Sequence, residues 1–275
     1  MKKLTLTVDD EGARIGLKEY LYKNGLSKTL VKRVKHGGIT LNGEIVTVRA
    51  EVKCGDTVEI DLGEAVSENI PPMDIPIEVV YEDDMLLAVN KPSNMPTHPS
   101  RGNSLPTLAN AVMARYGGDF VFRAVNRLDR DTSGLVLIAK DQMTANALSE
   151  SMRCGRFKKK YIAEVVGVIP ECGVIDAPIE RECEGSIRRV VRDDGKRAVT
   201  EYRRISTDGA TSLCEVTLHT GRTHQIRVHM AHIGHPLVND FLYGERGDEP
   251  YRLTCVEIGF PHPKDGEEIY IRIAK

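Results

Sequence analysis

Apolar positions along this chain recur with helical spacing in some stretches and strand-like spacing in others, and one segment breaks both rhythms. Residues 62–76, LGEAVSENIPPMDIP, interrupt the pattern with Gly, Ser, Asn and three prolines. Pro71 and Pro72 bias their neighbours toward extended backbone, so 63–75 reads as a linker. It divides a first block, 1–62, from a second, 76–275.

In the first block Leu17, Tyr20 and Leu21 repeat at i, i+3, i+4 and predict one apolar helix face. Asn24-Gly25 ends that helix, and Ser27 is placed to cap a second one. There Leu30, Val31 and Val34 face one way while Lys28, Lys32 and Lys35 line another. Ile39-Thr40-Leu41, the Asn42-Gly43 turn and Ile45–Val48 predict a hairpin. Gly55-Asp56 precedes a last strand, Thr57–Ile60.

The second block predicts strands at Val79–Val80, Leu86–Val89, Leu135–Ala139, Ile162–Val166, Cys214–Leu218, Val256–Ile258 and Ile269–Ile273. Helices are expected at Leu105–Tyr116, Met143–Met152 (capped by Asp141) and Thr223–Ile233. The order lacks the regular alternation of a doubly wound sheet. The expected class is α+β: a mixed, largely antiparallel sheet with flanking helices, plus a small N-terminal α/β unit.

Composition narrows the function. Apolar residues make up 41% and charged residues 28% of 275, which is ordinary globular usage. The longest apolar run, around Leu135–Ala139, is far short of the roughly 20 residues that span a bilayer. No apolar segment follows Lys2-Lys3 before Asp9-Asp10, so no secretory signal is read and a cytoplasmic protein is expected. A monomer is expected too, since no exposed apolar repeat stands out. Six cysteines never form a C-x-x-C pair and read as reduced thiols. The formal net charge is −2, so any nucleic-acid partner must be met by local patches. Neither G-x-G-x-x-G nor G-x-x-x-x-G-K-[ST] occurs, which leaves nucleotide-cofactor chemistry without support.

Three polar clusters could carry chemistry. In VNRLDRDTSGLVLIAK (125–140), Asp129 and Asp131 alternate with Arg127 and Arg130 just before an apolar strand. A carboxylate among cations is kept ionised and could serve as nucleophile or base; Asp, Thr, Ser and Gly equally suit a plain charged turn. The letters also fit the D-x-D-x-T of aspartyl-phosphate phosphatases and the D-T-G of aspartic proteases. The first lacks its preceding apolar strand, and the second lacks a partner carboxylate.

In MRCGRFKKKY (152–161), Arg153, Arg156, Lys158, Lys159 and Lys160 form a basic run next to Tyr161. It is either a solvated loop after a helix C-terminus or a phosphate-contacting patch beside an aromatic. In LHTGRTHQIRVHMAHIGHPLVNDFLYG (218–244), Thr223 can cap a helix that carries His224 and Arg227 on one face. A zinc site is conceivable, because His229, His232 and His235 step by three, but no carboxylate or thiolate follows at matching spacing. Arg227, near a helix start, suits bidentate capture of a carboxylate.

In this order the clusters resemble the RluA/RluD-type family of RNA pseudouridine synthases. The resemblance rests on Arg127-Leu128-Asp129 with Thr132-Ser133-Gly134, Lys159 with Tyr161, Gly221 through Arg227 with His229, and Gly234-His235-Pro236 with Asp240 and Tyr243-Gly244. It extends to 81–100 and 195–205, and so to essentially the whole second block. Asn126 stands where the family usually has histidine. The first block is similar to the small S-four RNA-binding domain.

The resemblance implies an enzyme that isomerises uridine in structured RNA without metal or organic cofactor. Asp129 would be the catalytic aspartate, Arg227 its partner, Tyr161 the platform under the uracil, and Arg127 the group filling the space of an everted nucleotide. Lys159, Lys160, His224, Lys28, Lys32 and Lys35 would contact the RNA. Large-subunit ribosomal RNA is the first expectation for the substrate and transfer RNA the second.

Overall fold

A computed structural model describes residues 3–26, 28–61, 67, 69–99 and 106–273. Ser27, read as a cap, lies outside the described residues, as do Leu105 and most of the first half of the 63–75 segment.

The first block builds β1 (Lys3–Thr7), α1 (Asp10–Ile15), α2 (Leu17–Lys23), α3 (Lys28–Val34), β2 (Ile39–Leu41), β3 (Glu44–Ile45) and β4 (Thr57–Asp61). The strands form an antiparallel sheet in the order β1-β4-β2-β3. Leu17, Tyr20, Leu21, Leu30, Val31 and Val34 bury the helix faces against Ile39, Val58 and Ile60, in an apolar cluster of its own. Asn42 and Gly43 both take positive φ, 52° and 88°, which is the turn their sequence predicts. The hairpin is shorter than expected, since β3 ends at Ile45.

The second block contributes β5 (Glu78–Glu82), β6 (Leu86–Lys91), α4 (Leu108–Arg115), β7 (Ser133–Ala139), α5 (Gln142–Arg153), β8 (Lys158–Val166), β9 (Cys172–Asp176), β10 (Ile179–Arg181), β11 (Arg189–Val191), β12 (Val199–Thr207), β13 (Thr211–Leu218), α6 (Gln225–His232), β14 (Leu253–Pro261) and β15 (Glu268–Arg272). Nine of these strands make one sheet in the order β5-β6-β7-β14-β8-β13-β12-β9, with β15 also on β14; β10 and β11 form a separate hairpin. The class is α+β, with a largely antiparallel sheet.

Among the described strands one pairing is parallel. At the start of β7, Ser133 pairs with Thr254 of β14 and Gly134 with Cys255. Gly134 is required there. Its φ is +108°, and a Cβ at this position would lie 2.3 Å from the carbonyl oxygen of Cys255. β6 and β7 run through the core: Leu86–Val89 and Leu135–Ala139 are fully buried and paired in register.

Several local expectations change. Asp141 does cap α5, accepting from the backbone N–H of Met143 and Thr144 at 2.9 Å. Thr223 does not cap α6. That helix starts at Gln225, and the residue before it, His224, is left-handed with φ 58°. Gln225 supplies the missing partner by accepting at Oε1 from the Arg222 N–H (3.0 Å) and the Thr220 hydroxyl (2.8 Å). The basic run 158–160 is not a loop but the first three residues of strand β8.

Candidate functional site

The segment from Asn126 to Thr132 crosses the end of the sheet before β7, and the loop after β6 fastens it. Lys91, fully buried, donates from Nζ to the carbonyls of Pro92 (2.8 Å), Met95 (2.7 Å) and Arg130 (3.1 Å). Its carbonyl cradle does not offset burial in full, and the ammonium falls to about 8, with Asp131 and Asp129 drawing it partly back. The Thr97 hydroxyl donates to the carbonyl of Leu128 (2.8 Å), and Ser93 donates to that of Asp131 (2.8 Å). Asn126 is buried and clips the same segment to β7, donating to Leu135 O (3.0 Å) and accepting from Leu137 N–H (2.8 Å). Its amide thus acts on the backbone of the neighbouring strand.

These contacts present Asp129 at the floor of a cleft with its side chain 31% exposed. An inner cavity of about 60 Å³ is lined by Arg127, Asp129, Thr132, Tyr161, His224 and Arg227. It continues into an outer cleft of about 690 Å³ through four shared residues, Arg127, Asp129, His224 and Arg227. Oδ2 of Asp129 stands 3.9 Å from Nη1 of Arg227 and 3.8 Å from Nε2 of His224. Both are ion-pair distances, longer than a hydrogen bond.

The direct partner of Arg227 is a different acid. Nε and Nη2 donate to the two carboxylate oxygens of Asp240, each at 2.7 Å, and both side chains are buried. Asp240 also accepts from the N–H of Leu242 at 3.1 Å. Burial, the largest single influence, disfavours the guanidinium charge, but Asp240, Tyr251 and Asp129 together outweigh it and Arg227 is held above its ordinary value. Tyr251 and Tyr243 lie 4.5 and 5.0 Å below the guanidinium carbon. The bidentate capture expected of Arg227 is present, directed at Asp240 and not at Asp129.

His224 is fixed by a short relay. The Tyr243 hydroxyl accepts from the backbone N–H of Arg189 and meets Nδ1 of His224, both at 2.8 Å. Burial first, and then the charges of Arg227 and Arg189, push the imidazole below its ordinary value, against Asp129 pulling the other way. A neutral ring that accepts the Tyr243 proton at Nδ1 carries its own on Nε2, the nitrogen turned to Asp129.

Tyr161 comes from β8, opposite Cys255 of β14 and Val216 of β13. Burial, the larger cause, and Cys255 raise its phenol well above the ordinary value, so it stays protonated. Strand alternation sends Lys159 to the same side, and its Nζ lies 3.4 Å from where a side chain at Gly221 would begin. Burial lowers its ammonium.

Of the residues singled out from sequence, the cleft brings together Asp129, Tyr161, Arg227, Arg127 and His224. Lys160 is elsewhere: it points to the opposite side of β8, between Glu215 (3.8 Å) and Glu257 (3.9 Å). Arg153 is likewise paired with Glu150. The run that is all-positive in sequence is therefore partly neutralised, by Glu150 of the same helix and by Glu215 and Glu257 of neighbouring strands. Lys28, Lys32 and Lys35 are exposed on the first block, outside this cleft.

The histidines do not converge either. His229 is buried between Thr200 and the Ala177 carbonyl, and His235 meets the Val166 carbonyl. Among the described residues no group of three or more His, Cys, Asp or Glu is arranged for a metal ion. No helix among them is long and apolar enough to cross a membrane.

Asp240, Tyr243, Tyr251, Lys91 and Thr97 were missed as site residues. The first two stood within a quoted motif, yet nothing in the spacing says that the coil 234–244 folds back over α6.

The sequence profile of the RNA pseudouridylate synthase family matches residues 85–232. An uncharacterized RNA pseudouridine synthase of Bacillus subtilis, YjbO, is 39% identical over 92% of this chain and 93% of its own length. Ribosomal large subunit pseudouridine synthase D of Xanthomonas campestris is 38% identical over 86% of this chain and 77% of its own. Among solved structures, human RNA pseudouridylate synthase domain containing 1 aligns with a TM-score of 0.62 at 25% identity, covering 74% of this chain and 86% of that one.

Proposed function

This chain belongs to the RNA pseudouridylate synthase family, and from that premise we propose that it modifies uridine in large-subunit ribosomal RNA, with Asp129 as the reacting carboxylate. Isomerisation of uridine in RNA follows from the family; the substrate and the residue roles are our reading. Relatives named for the large ribosomal subunit support the choice of RNA.

One observation carries the assignment of roles. Asp129 is an accessible carboxylate at the floor of a cleft, and among the described residues no hydrogen bond ties it down. A buried acid in a bidentate pair, such as Asp240, has no free oxygen to offer. Asp129 keeps both, with a guanidinium and an imidazole N–H just beyond hydrogen-bond range to receive charge as it moves.

A uracil stacked in RNA hides its glycosidic bond, so the nucleotide leaves the stack at a cost of a few kcal/mol. Arg127, exposed at the rim, enters the space it vacates. In the cleft Tyr161 packs on the base as a neutral phenol. With Asp129 against the nucleoside, the N-glycosidic bond breaks, the detached uracil turns, and a carbon–carbon bond to the sugar replaces it. The C5 proton then passes to a base and N1 of the uracil takes one up, so that the product is an isomer of uridine. No cofactor takes part in these steps. Residues 1–62 act as a separate RNA-binding unit that resembles the S-four domain, with Lys28, Lys32 and Lys35 toward phosphates; 63–75 link it to the catalytic unit, 76–275.

The test is pseudouridine mapping on ribosomal and transfer RNA from cells lacking the gene, treated with wild type or Asp129→Asn protein. Wild type is expected to modify large-subunit RNA, while the variant binds RNA and forms no product. Equal activity of the two proteins rules out the role of Asp129, and product on transfer RNA alone rules out the ribosomal substrate.

A further inference from the structure

Beside the cleft, the β10–β11 hairpin borders a groove of about 300 Å³ that the reaction does not use. It is lined by Arg181, Arg189, Lys196, Gly221, Arg222 and Thr223, among others. Arg181 and Arg189 are direct cross-strand partners in the hairpin. Like charges directly opposite each other destabilise a strand pair, so this arrangement calls for an anion between them. Among the described residues none of the four cations is paired with a carboxylate. Glu180, also in the lining, spends Oε1 on the backbone N–H of Arg181 (2.8 Å).

A second observation points the same way. Nη1 of Arg189 is buried and has no hydrogen-bond partner among the described residues. A buried donor without an acceptor is costly, and a guanidinium donor more so than a neutral one. The cations of neighbouring turns are satisfied: Arg192 pairs with Asp194, Arg188 with Glu182, and Arg197 with Asp176. Arg189, which carries the unmet donor, lines the groove together with Arg181, Arg222 and Lys196.

We propose that this groove is a phosphate subsite that takes a phosphodiester of the RNA strand next to the target uridine. Arg181 and Arg189 grip its oxygens from one side, and Lys196 and Arg222 do so from the other. The inference rests on the reading of the cleft as the uridine site, because Arg181 and Arg189 line both groove and cleft. The backbone of Arg189 also holds Tyr243, and through it His224. A strand seated on the hairpin is thereby registered against the imidazole that faces Asp129.

The experiment is fluorescence anisotropy of a short, mixed-sequence single-stranded RNA containing uridine, read as the slope of log affinity against log salt. Each lost phosphate contact on a single strand makes that slope shallower by about 0.7. Arg181→Gln/Lys196→Gln, two exposed residues whose truncation leaves the core alone, is expected to flatten it by roughly 1.4, the loss of two such contacts. Arg189→Gln is expected to flatten it by about 0.7. Lys264→Gln, an exposed cation in the β14–β15 turn, is expected to leave it unchanged. On substrate RNA the double variant raises KM and keeps kcat.

A wild-type slope in both groove variants overturns the subsite. Displacement of the RNA by inorganic phosphate at matched ionic strength overturns the phosphodiester in favour of a free-phosphate site. Flattened slopes from an enzyme that makes no pseudouridine on any RNA overturn the reading of the cleft instead, and keep the groove as an RNA contact.

Discussion

Arg227 clasps Asp240 through two 2.7 Å hydrogen bonds, and the same guanidinium stands 3.9 Å from Asp129. One cation serves two acids, one wholly buried and one open to the cleft. Asp240→Ala leaves a buried guanidinium without its partner, and a loss of about 3–5 kcal/mol in urea unfolding is expected. Replacing both by apolar residues, Arg227→Met with Asp240→Leu, is expected to recover most of that stability, since buried pairs exchange for apolar ones at little net cost. Turnover is not expected to return. Recovery of both would show that the guanidinium serves the fold alone.

Gly134→Ala tests the parallel junction. The new Cβ would meet the Cys255 backbone at 2.3 Å on a residue held at φ +108°. Backbone strain alone costs about 1–3 kcal/mol, and the clash adds to it. Loss of about 3 kcal/mol or more is expected by denaturant unfolding, with activity falling in step with the folded fraction. An unchanged midpoint would contradict the close approach of β7 and β14.

Asn126→Ala separates fold from chemistry. Both ends of the amide are spent on the β7 backbone, so removal leaves a buried carbonyl and a buried N–H unpaired. A destabilisation of about 1–3 kcal/mol is expected, with kcat of the folded enzyme intact. A fall in kcat without loss of stability would give Asn126 a part in the reaction.

His224 predicts a pH dependence. Its folded value is depressed, chiefly by burial, below the roughly 6.5 of an open chain. Between those two values the unfolded chain holds more protons at this group. Its contribution to stability is therefore complete above about pH 6.5 and is lost as pH falls through the window. The His224 ring should titrate in NMR with a midpoint below 6.5, and His224→Gln should remove that part of the stability slope. A midpoint at or above 6.5 would contradict the neutral ring.

What the sequence makes legible is local. Apolar runs mark β6 and β7, spacing marks α2 and α3, Asp141 announces a cap, and Asn42-Gly43 a turn. Each depends on residues within a few positions. The failures are all of longer reach. Thr223 looks like a cap until Gln225, anchored to Val199 and Thr200 of β12, takes up the free N–H of Arg222. Lys160 looks like an RNA contact until β13 and β14 bring Glu215 and Glu257 to it. Arg227 does stand at ion-pair distance from Asp129, but its bidentate partner, Asp240, arrives on the coil after α6. Asp129, Tyr161, Arg127 and His224 share one cleft, but charge runs do not reveal which acids arrive from distant strands.

The hydroxyls of Ser133 and Thr254, 2.8 Å apart, are separated by 121 positions of chain. β14 is thus the keystone of the cleft, and it is made more than a hundred residues after β7. A nascent polypeptide that has already displayed Asp129 lacks the strand beside β7, and with it Tyr251 beneath Arg227. Contacts this remote in sequence form slowly. The protein acquires its working cavity only once β14 has been made and has paired with β7.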